Sequence, residues 1–301
     1  MAAHEASAVA KLPTAPRTRL QVPGSVNQVL KLTRAQFGEY LSSRRFVILV
    51  GIVIAIGGIL TAVVAYFRSS LVSSSSLAFY GSLWGGAAGF VIVLAAVFFG
   101  GDAIAGEFQN KTGYFLMGLP IRRSVVYVGK YIAALLASLC VLFLFLVILL
   151  ANGAYYYGGN ALPWQLLPSV LLAVVYLFAV LGTTFLFSSL FKTSAYGFVL
   201  TAILFLFGFT LLQDLVQGLV KMEPWMVISY ASSAIGEVFA PTVNWGLGGT
   251  IVSTRIPTGP GRFDTVTSYT SGVAEGLAIM LAYFLITGVV GLLLFEKEEF
   301  A

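Results

Sequence analysis

The sequence predicts an all-α integral membrane protein: six transmembrane helices, an N-terminal interfacial amphipathic helix, a short cytoplasmic helix between spans 2 and 3, and a long outer loop between spans 5 and 6. Three observations predict it. Of 301 residues, 58% are hydrophobic and only 10% charged, and the mean hydropathy is +0.94, which leaves too little polar surface to cover a soluble globule. Several uncharged runs reach the roughly 20 residues that cross about 30 Å of hydrocarbon as a helix, well beyond the about 9–11 of a barrel strand. The most polar break between two long apolar runs, Asp102–Lys130, reads as cytoplasmic surface.

Residues 1–24 are rich in Ala, Pro and basic residues. With no apolar core beside a cleavage site, they read as a flexible cytoplasmic tail rather than a signal peptide. In residues 25–45, Val26, Val29, Leu30, Thr33, Phe37, Tyr40 and Leu41 follow i, i+3, i+4, i+7 spacing, while Lys31, Arg34 and Glu39 point elsewhere on the wheel. That pattern predicts an amphipathic helix at the membrane surface, either as an anchor or also as part of a docking surface. Arg44 and Arg45 are expected to stop it at the lipid boundary.

The six-span domain occupies residues 46–301, with spans at about 46–67, 77–101, 131–155, 165–187, 195–216 and 274–295. In the second span, Gly81, Gly85 and Gly89 recur at four-residue spacing and expose a groove of backbone. The groove fits packing within one bundle or a subunit interface. The third span ends in Tyr155, Tyr156 and Tyr157, which suit a headgroup region. Residues 221–272 form the outer loop, with Pro, Gly, Ser and Thr throughout. Its first part, Pro224–Ala240, predicts short helices at or dipping into the outer interface, and Pro241–Gly272 is turn-rich, with room for a small hairpin.

Six spans put both termini on one side. Thirteen of the 17 Lys and Arg fall on that side and four on the other, which places both termini of a multi-pass cell-membrane protein in the cytoplasm. The same distribution explains the net charge of +5 by orientation in a membrane, without nucleic acid.

The chain also lacks most chemistry of its own. The only histidine, His4, lies in the tail, so no span offers imidazole to haem, copper or zinc. Cys140 is the single cysteine and has no intrachain partner. There is no G-x-x-x-x-G-K-[ST], G-x-S-x-G or H-E-x-x-H, so neither a bound cofactor nor a catalytic residue is expected. An ionisable group deep in a membrane costs about 2.5–3.5 kcal/mol and marks a pathway or relay; the middles of these spans hold none. Asp214 and Glu275 fall at the outer ends of spans 5 and 6 and fit either interfacial charges or an outer gate. Without buried carboxylates, transport must be energised from outside the chain.

Within the central break, Asp102 is expected to cap a short helix over about 103–118 by accepting from its first free amides. Ile104, Phe108, Phe115 and Leu116 form its apolar stripe, and Glu107, Gln109, Asn110 and Lys111 supply polar contacts. Pro120 ends it, and Arg122 and Arg123 lead into span 3; both arginines also suit lipid headgroups. A force on this helix would move two spans.

The segments D-x-I-A-G-E from Asp102, K-T-G-Y-x-L from Lys111, L-P-I-R-R-S from Leu119, and Gly129–Lys130 resemble the cytoplasmic loop of ABC-2 type permeases, membrane subunits of ATP-binding cassette exporters. The form E-F-Q-N-K-T-G-Y-F-L is particularly similar to archaeal members. The topology is similar along the whole chain. Lys111 departs from the commoner bacterial pattern, which has Gly before the threonine.

The resemblance implies a non-enzymatic permease subunit that moves a substrate by alternating access. It implies a second permease subunit, identical or related, and two separate ATPase subunits that bind ATP and Mg. It also implies that residues 103–118 are a coupling helix, with Asp102, Ile104, Glu107, Phe108, Lys111, Thr112, Tyr114, Arg122 and Arg123 carrying the ATPase contact. Lys31, Arg34, Phe37 and Tyr40 would flank it from a connecting helix. The alternative is a membrane-anchoring or assembly subunit of a larger complex, with no pathway of its own.

Overall fold

The computed structural model describes residues 24–67, 75–109, 122–160, 162–191, 193–259 and 262–297. Among them, six helices are long and apolar enough to cross a membrane, and the chain is an all-α integral membrane protein. After α1 (Ser25–Ser42) come the spans α2 (Arg44–Tyr66), α3 (Ser76–Glu107), α4 (Arg123–Tyr157), α5 (Leu166–Leu190) and α6 (Ser194–Val220). Two one-turn helices, α7 (Ile228–Ala231) and α8 (Ala234–Glu237), a hairpin of β1 (Thr250–Gly259) and β2 (Arg262–Thr270), and the last span α9 (Val273–Lys297) follow.

Arg44 and Arg45 do not stop α1. The break is at Ser43, extended at ψ 145°, whose Oγ donates to the Tyr40 carbonyl at 2.6 Å and accepts from the Phe46 amide at 3.2 Å. One serine closes α1 and caps α2, and both arginines enter the first turn of the span. α4 has 35 residues, or about 52 Å at 1.5 Å per residue, so it projects beyond about 30 Å of hydrocarbon.

The core lies among α3, α5 and α4, which bury 67, 61 and 56% of their most apolar windows, against 22% for α2 and 17% for both α6 and α9. Trp84, Tyr80, Phe145 and Tyr176 fill it. Trp84 Nε1 donates to Ser169 Oγ at 2.9 Å, and that hydroxyl donates to the Ile235 carbonyl at 2.6 Å. The indole is thereby satisfied in an apolar surround.

The outer loop does more than rest at the interface. Val227, Ile228, Tyr230, Ala231, Ala234, Ile235 and Val238 are fully buried, so α7 and α8 are wedged into the bundle. They pack against the glycine stripe of α3, so the stripe serves packing within one bundle. A β-carbon on Gly85 would lie 2.6 Å from the Cα of Gly236, one on Gly81 3.1 Å from Phe239, and one on Gly89 3.4 Å from Ser232. The α3 backbone widens into a π-helical turn over Gly81–Gly85 at this contact. Beyond it, β1 and β2 pair antiparallel from Thr250↔Thr270 to Gly259↔Arg262. The stacked Trp164 and Trp245, with ring centroids 6.5 Å apart, tie this loop to the connection between α4 and α5.

Candidate functional site

The apolar part of α3 leads through a turn over residues 101–104 into a short helical stretch, Ala105–Gln109. Asp102 does not cap this stretch. Its carboxylate pairs with the Arg45 guanidinium at the start of α2 and accepts from Ser194 Oγ, at 3.0 Å, at the start of α6. The capping acceptor is instead Ser188 Oγ on α5, which takes the Ile104 and Ala105 amides at 3.0 and 3.1 Å. A buried hydroxyl from another span thus does what a local carboxylate was expected to do.

Glu107 turns inward. Lys130 on α4, with its side chain 5% exposed, places Nζ 2.5 Å from Glu107 Oε1 and 3.0 Å from the Ala103 carbonyl, to which it donates. A cation so deeply buried requires such partners. On the other flank, the Ser194 amide donates to Gln109 Oε1 at 2.8 Å. Gly197 lets α6 approach this turn, since a β-carbon there would lie 2.6 Å from the Gly101 carbonyl oxygen.

The connecting helix α1 closes the remaining side. Thr33 Oγ1 donates to the Gly129 carbonyl at 3.2 Å, and the Tyr40 hydroxyl donates to the Phe99 carbonyl at 3.3 Å. Burial, reinforced by the carboxylates of Asp102 and Glu39, pushes the Tyr40 phenol up, so it remains a donor. Between α1, α2, α3 and α4 lies a cleft of about 640 Å³, lined by Glu39, Tyr40, Arg45, Asp102, Glu107 and Lys130 among others.

The expected site residues divide accordingly. Asp102, Glu107 and Tyr40 meet in this node, and Phe37 packs against the core beside it. Lys31 and Arg34 are exposed on α1. Ile104 is fully buried, so it faces the bundle and cannot touch a docked protein. Arg122 is exposed at the start of α4, while Arg123 Nη1 donates to the Glu296 carbonyl at 2.9 Å, joining α4 to α9. The Phe108 side chain, Lys111, Thr112, Tyr114 and the rest of the expected helix to residue 118 lie outside the described residues.

The two residues considered for an outer gate have separate surroundings. Asp214 is exposed on α6, whereas Glu275 accepts from the Tyr230 hydroxyl at 3.4 Å and the Gly272 amide at 3.3 Å; among the described residues the two carboxylates share no contact. Sequence reasoning gave no role to Ser188 or Ser194. Lys130 closed the matched G-K motif and gave a usable signal: a lysine bordering an apolar run needs a partner when its helix begins seven residues earlier.

The sequence model of the ABC-2 family transporter protein matches residues 30–300. The chain belongs to the ABC-2 transporter family. A comparison with curated proteins finds no match. As an ABC-2 permease, it is a multi-pass membrane subunit of an ABC transporter, which associates with ATPase partners. The polar node then joins α1, the end of α3 and α4, and Asp102, Glu107 and Lys130 belong to the motifs that resemble the permease coupling loop.

Proposed function

We propose that this permease receives its driving force through the turn Asp102–Gln109 and the residues that follow to Gly118, which seat as a coupling helix on a separate ATPase subunit. The observation that carries this reading is that one short turn is bonded to α2, α4, α5 and α6 at once. A push on it cannot be absorbed locally. Two ATPase subunits bind ATP and Mg, this chain binds neither, and it catalyses no reaction itself. A second permease subunit completes the pathway, and closure of the ATPases drives alternating access. Both termini face the cytoplasm, in accord with the excess of Lys and Arg on that side.

The test is co-purification followed by reconstitution. The tagged full chain should bring down an ATPase subunit carrying a nucleotide loop. Arg34→Glu, on the exposed face of α1, and Glu107→Ala should each lower permease-stimulated ATP hydrolysis at least fivefold. Capture of no ATPase subunit, with ATP-dependent activity of the membrane unchanged by Glu107→Ala, would overturn the reading in favour of an anchoring or assembly subunit.

A further inference from the structure

Between α3, α5, α6 and α7 lies another cavity, of about 370 Å³, lined by Gly86, Phe90, Tyr176, Phe205, Phe207 and Thr210 among others. Its volume falls within the roughly 300–1,000 Å³ of small-molecule sites. Phe90 and Phe207 are 49 and 61% exposed, so the cavity is open at the surface of the bundle, while Phe205 and Tyr176 are buried. Among the described residues, none that lines it carries a charge. Gly86 leaves room in it, since a β-carbon there would meet nothing within 4 Å.

Four lining residues carry hydroxyls, and three of these are committed. Tyr176 bonds Ser232, Ser232 Oγ donates to the Ser229 carbonyl at 2.7 Å, and Ser229 Oγ donates to Gln213 Oε1 at 2.7 Å. The fourth belongs to Thr210, which is exposed and has no hydrogen-bond partner for its hydroxyl among the described residues. Other span threonines differ. Thr61, Thr183, Thr201 and Thr287 each donate to the carbonyl four residues earlier, at 2.6–3.0 Å, the usual back-bond of a helical threonine. For Thr210 that carbonyl belongs to Leu206, inside a π-helical turn over Leu204–Gly208, where the Phe209 amide reaches back five residues to Leu204. The widened turn takes the carbonyl away from the threonine and leaves a free donor beside the cavity.

Thr210 lies near the middle of α6 (Ser194–Val220), a depth at which water is not at hand to take its proton. Lipid esters and phosphates lie at the interfaces, on the order of 10 Å away, so an acyl chain would fill the cavity and leave the hydroxyl unsatisfied. We propose that the cavity binds a neutral, ring-bearing small molecule whose acceptor oxygen takes the Thr210 hydroxyl and whose rings lie against Phe90, Phe205 and Phe207. A charged ligand would be desolvated there without a counter-charge, whereas aromatic walls favour ring faces and edges. The site is distinct from the polar node, and its occupancy does not depend on the coupling role assigned there.

Photolabelling of the full chain in detergent with benzophenone, which has two rings, one carbonyl and no charge, tests both halves. Labelling should saturate, and peptide mass spectrometry should place it within residues 85–93 and 205–210. Fluorenone, which keeps a carbonyl, should displace the label about fivefold better than fluorene, which lacks it, as one hydrogen bond in an apolar surround allows. Thr210→Val keeps the shape without the hydroxyl. It should bring fluorenone to the fluorene level while leaving fluorene and the unfolding temperature unchanged, and Thr210→Ser should restore most of the difference. Gly86→Leu, which fills the cavity, should weaken both competitors about fivefold or more. Labelling that does not saturate or that maps to other spans, equal competition by fluorenone and fluorene, or binding undiminished by Gly86→Leu overturns the proposal. A change in oligomeric state on Gly86→Leu, without loss of labelling, would assign the cavity to a second copy of the chain and overturn it as well.

Discussion

Lys130 on α4 holds Glu107, 23 residues earlier, by a 2.5 Å contact while also donating to the Ala103 carbonyl at 3.0 Å. One buried ammonium therefore satisfies both a carboxylate and a free carbonyl of the turn that leaves α3. The turn is held by α4 on this side as it is by α5 and α6 on others.

Lys130→Met should be strongly destabilising. It removes the ammonium paired with Glu107, whose side chain is only 17% exposed, and leaves the Ala103 carbonyl without that donor. Removing one partner of a buried pair costs about 3–5 kcal/mol, so a loss of about 3 kcal/mol is expected in detergent unfolding titrations. Lys130→Met with Glu107→Met should recover part of it, because the carboxylate that lost its buried counter-charge is gone. A single substitution costing under about 1 kcal/mol would show the pair to be solvated after all.

Arg45→Ala provides the contrast. Its side chain is 55% exposed, and although that of Asp102 is only 13% exposed, Asp102 keeps the Ser194 hydroxyl as a donor when Arg45 is removed; pairs with a solvated partner contribute about 0–1 kcal/mol. The same titration should register less than about 1 kcal/mol. The difference between the two pairs arises from burial of the cation, 5% exposed for Lys130 against 55% for Arg45.

Ser188→Ala removes the acceptor for two amides at the start of the terminal helical stretch. The expected cost is about 1–2 kcal/mol, as for a lost helix cap with its buried donors unpaired. Hydrogen exchange should quicken in a peptide spanning residues 102–109 and stay unchanged in one spanning 84–96. Equal protection in both proteins would mean that another acceptor takes over.

Gly85→Ala sets two effects against each other. Alanine favours a helix by about 1 kcal/mol, but here its methyl would lie 2.6 Å from the Gly236 backbone, and overpacking costs about 1–3 kcal/mol. Net destabilisation is expected, with α8 displaced. Gly86→Ala meets nothing within 4 Å and should be neutral or stabilising. Thermal unfolding of the two variants side by side decides it, and a Gly85→Ala protein as stable as Gly86→Ala would contradict the contact.

The spans, the surface helix and the polar break after α3 were legible in the sequence because hydropathy and its 3.6-residue period are local properties, fixed by a few consecutive turns. They identify which residues share a face. They do not identify what that face meets. Gly81, Gly85 and Gly89 were readable as a close-approach surface, yet the helix that approaches is α8, about 150 residues further along the chain. Asp102 has the chemistry of a cap and is drawn off by Arg45, while Ser188, 84 residues from Ile104, supplies the cap. Ile104, expected to carry part of the ATPase contact, is fully buried against the bundle. In each case the choice rests on a contact between segments far apart in sequence, and only the packing of the six spans brings those partners together.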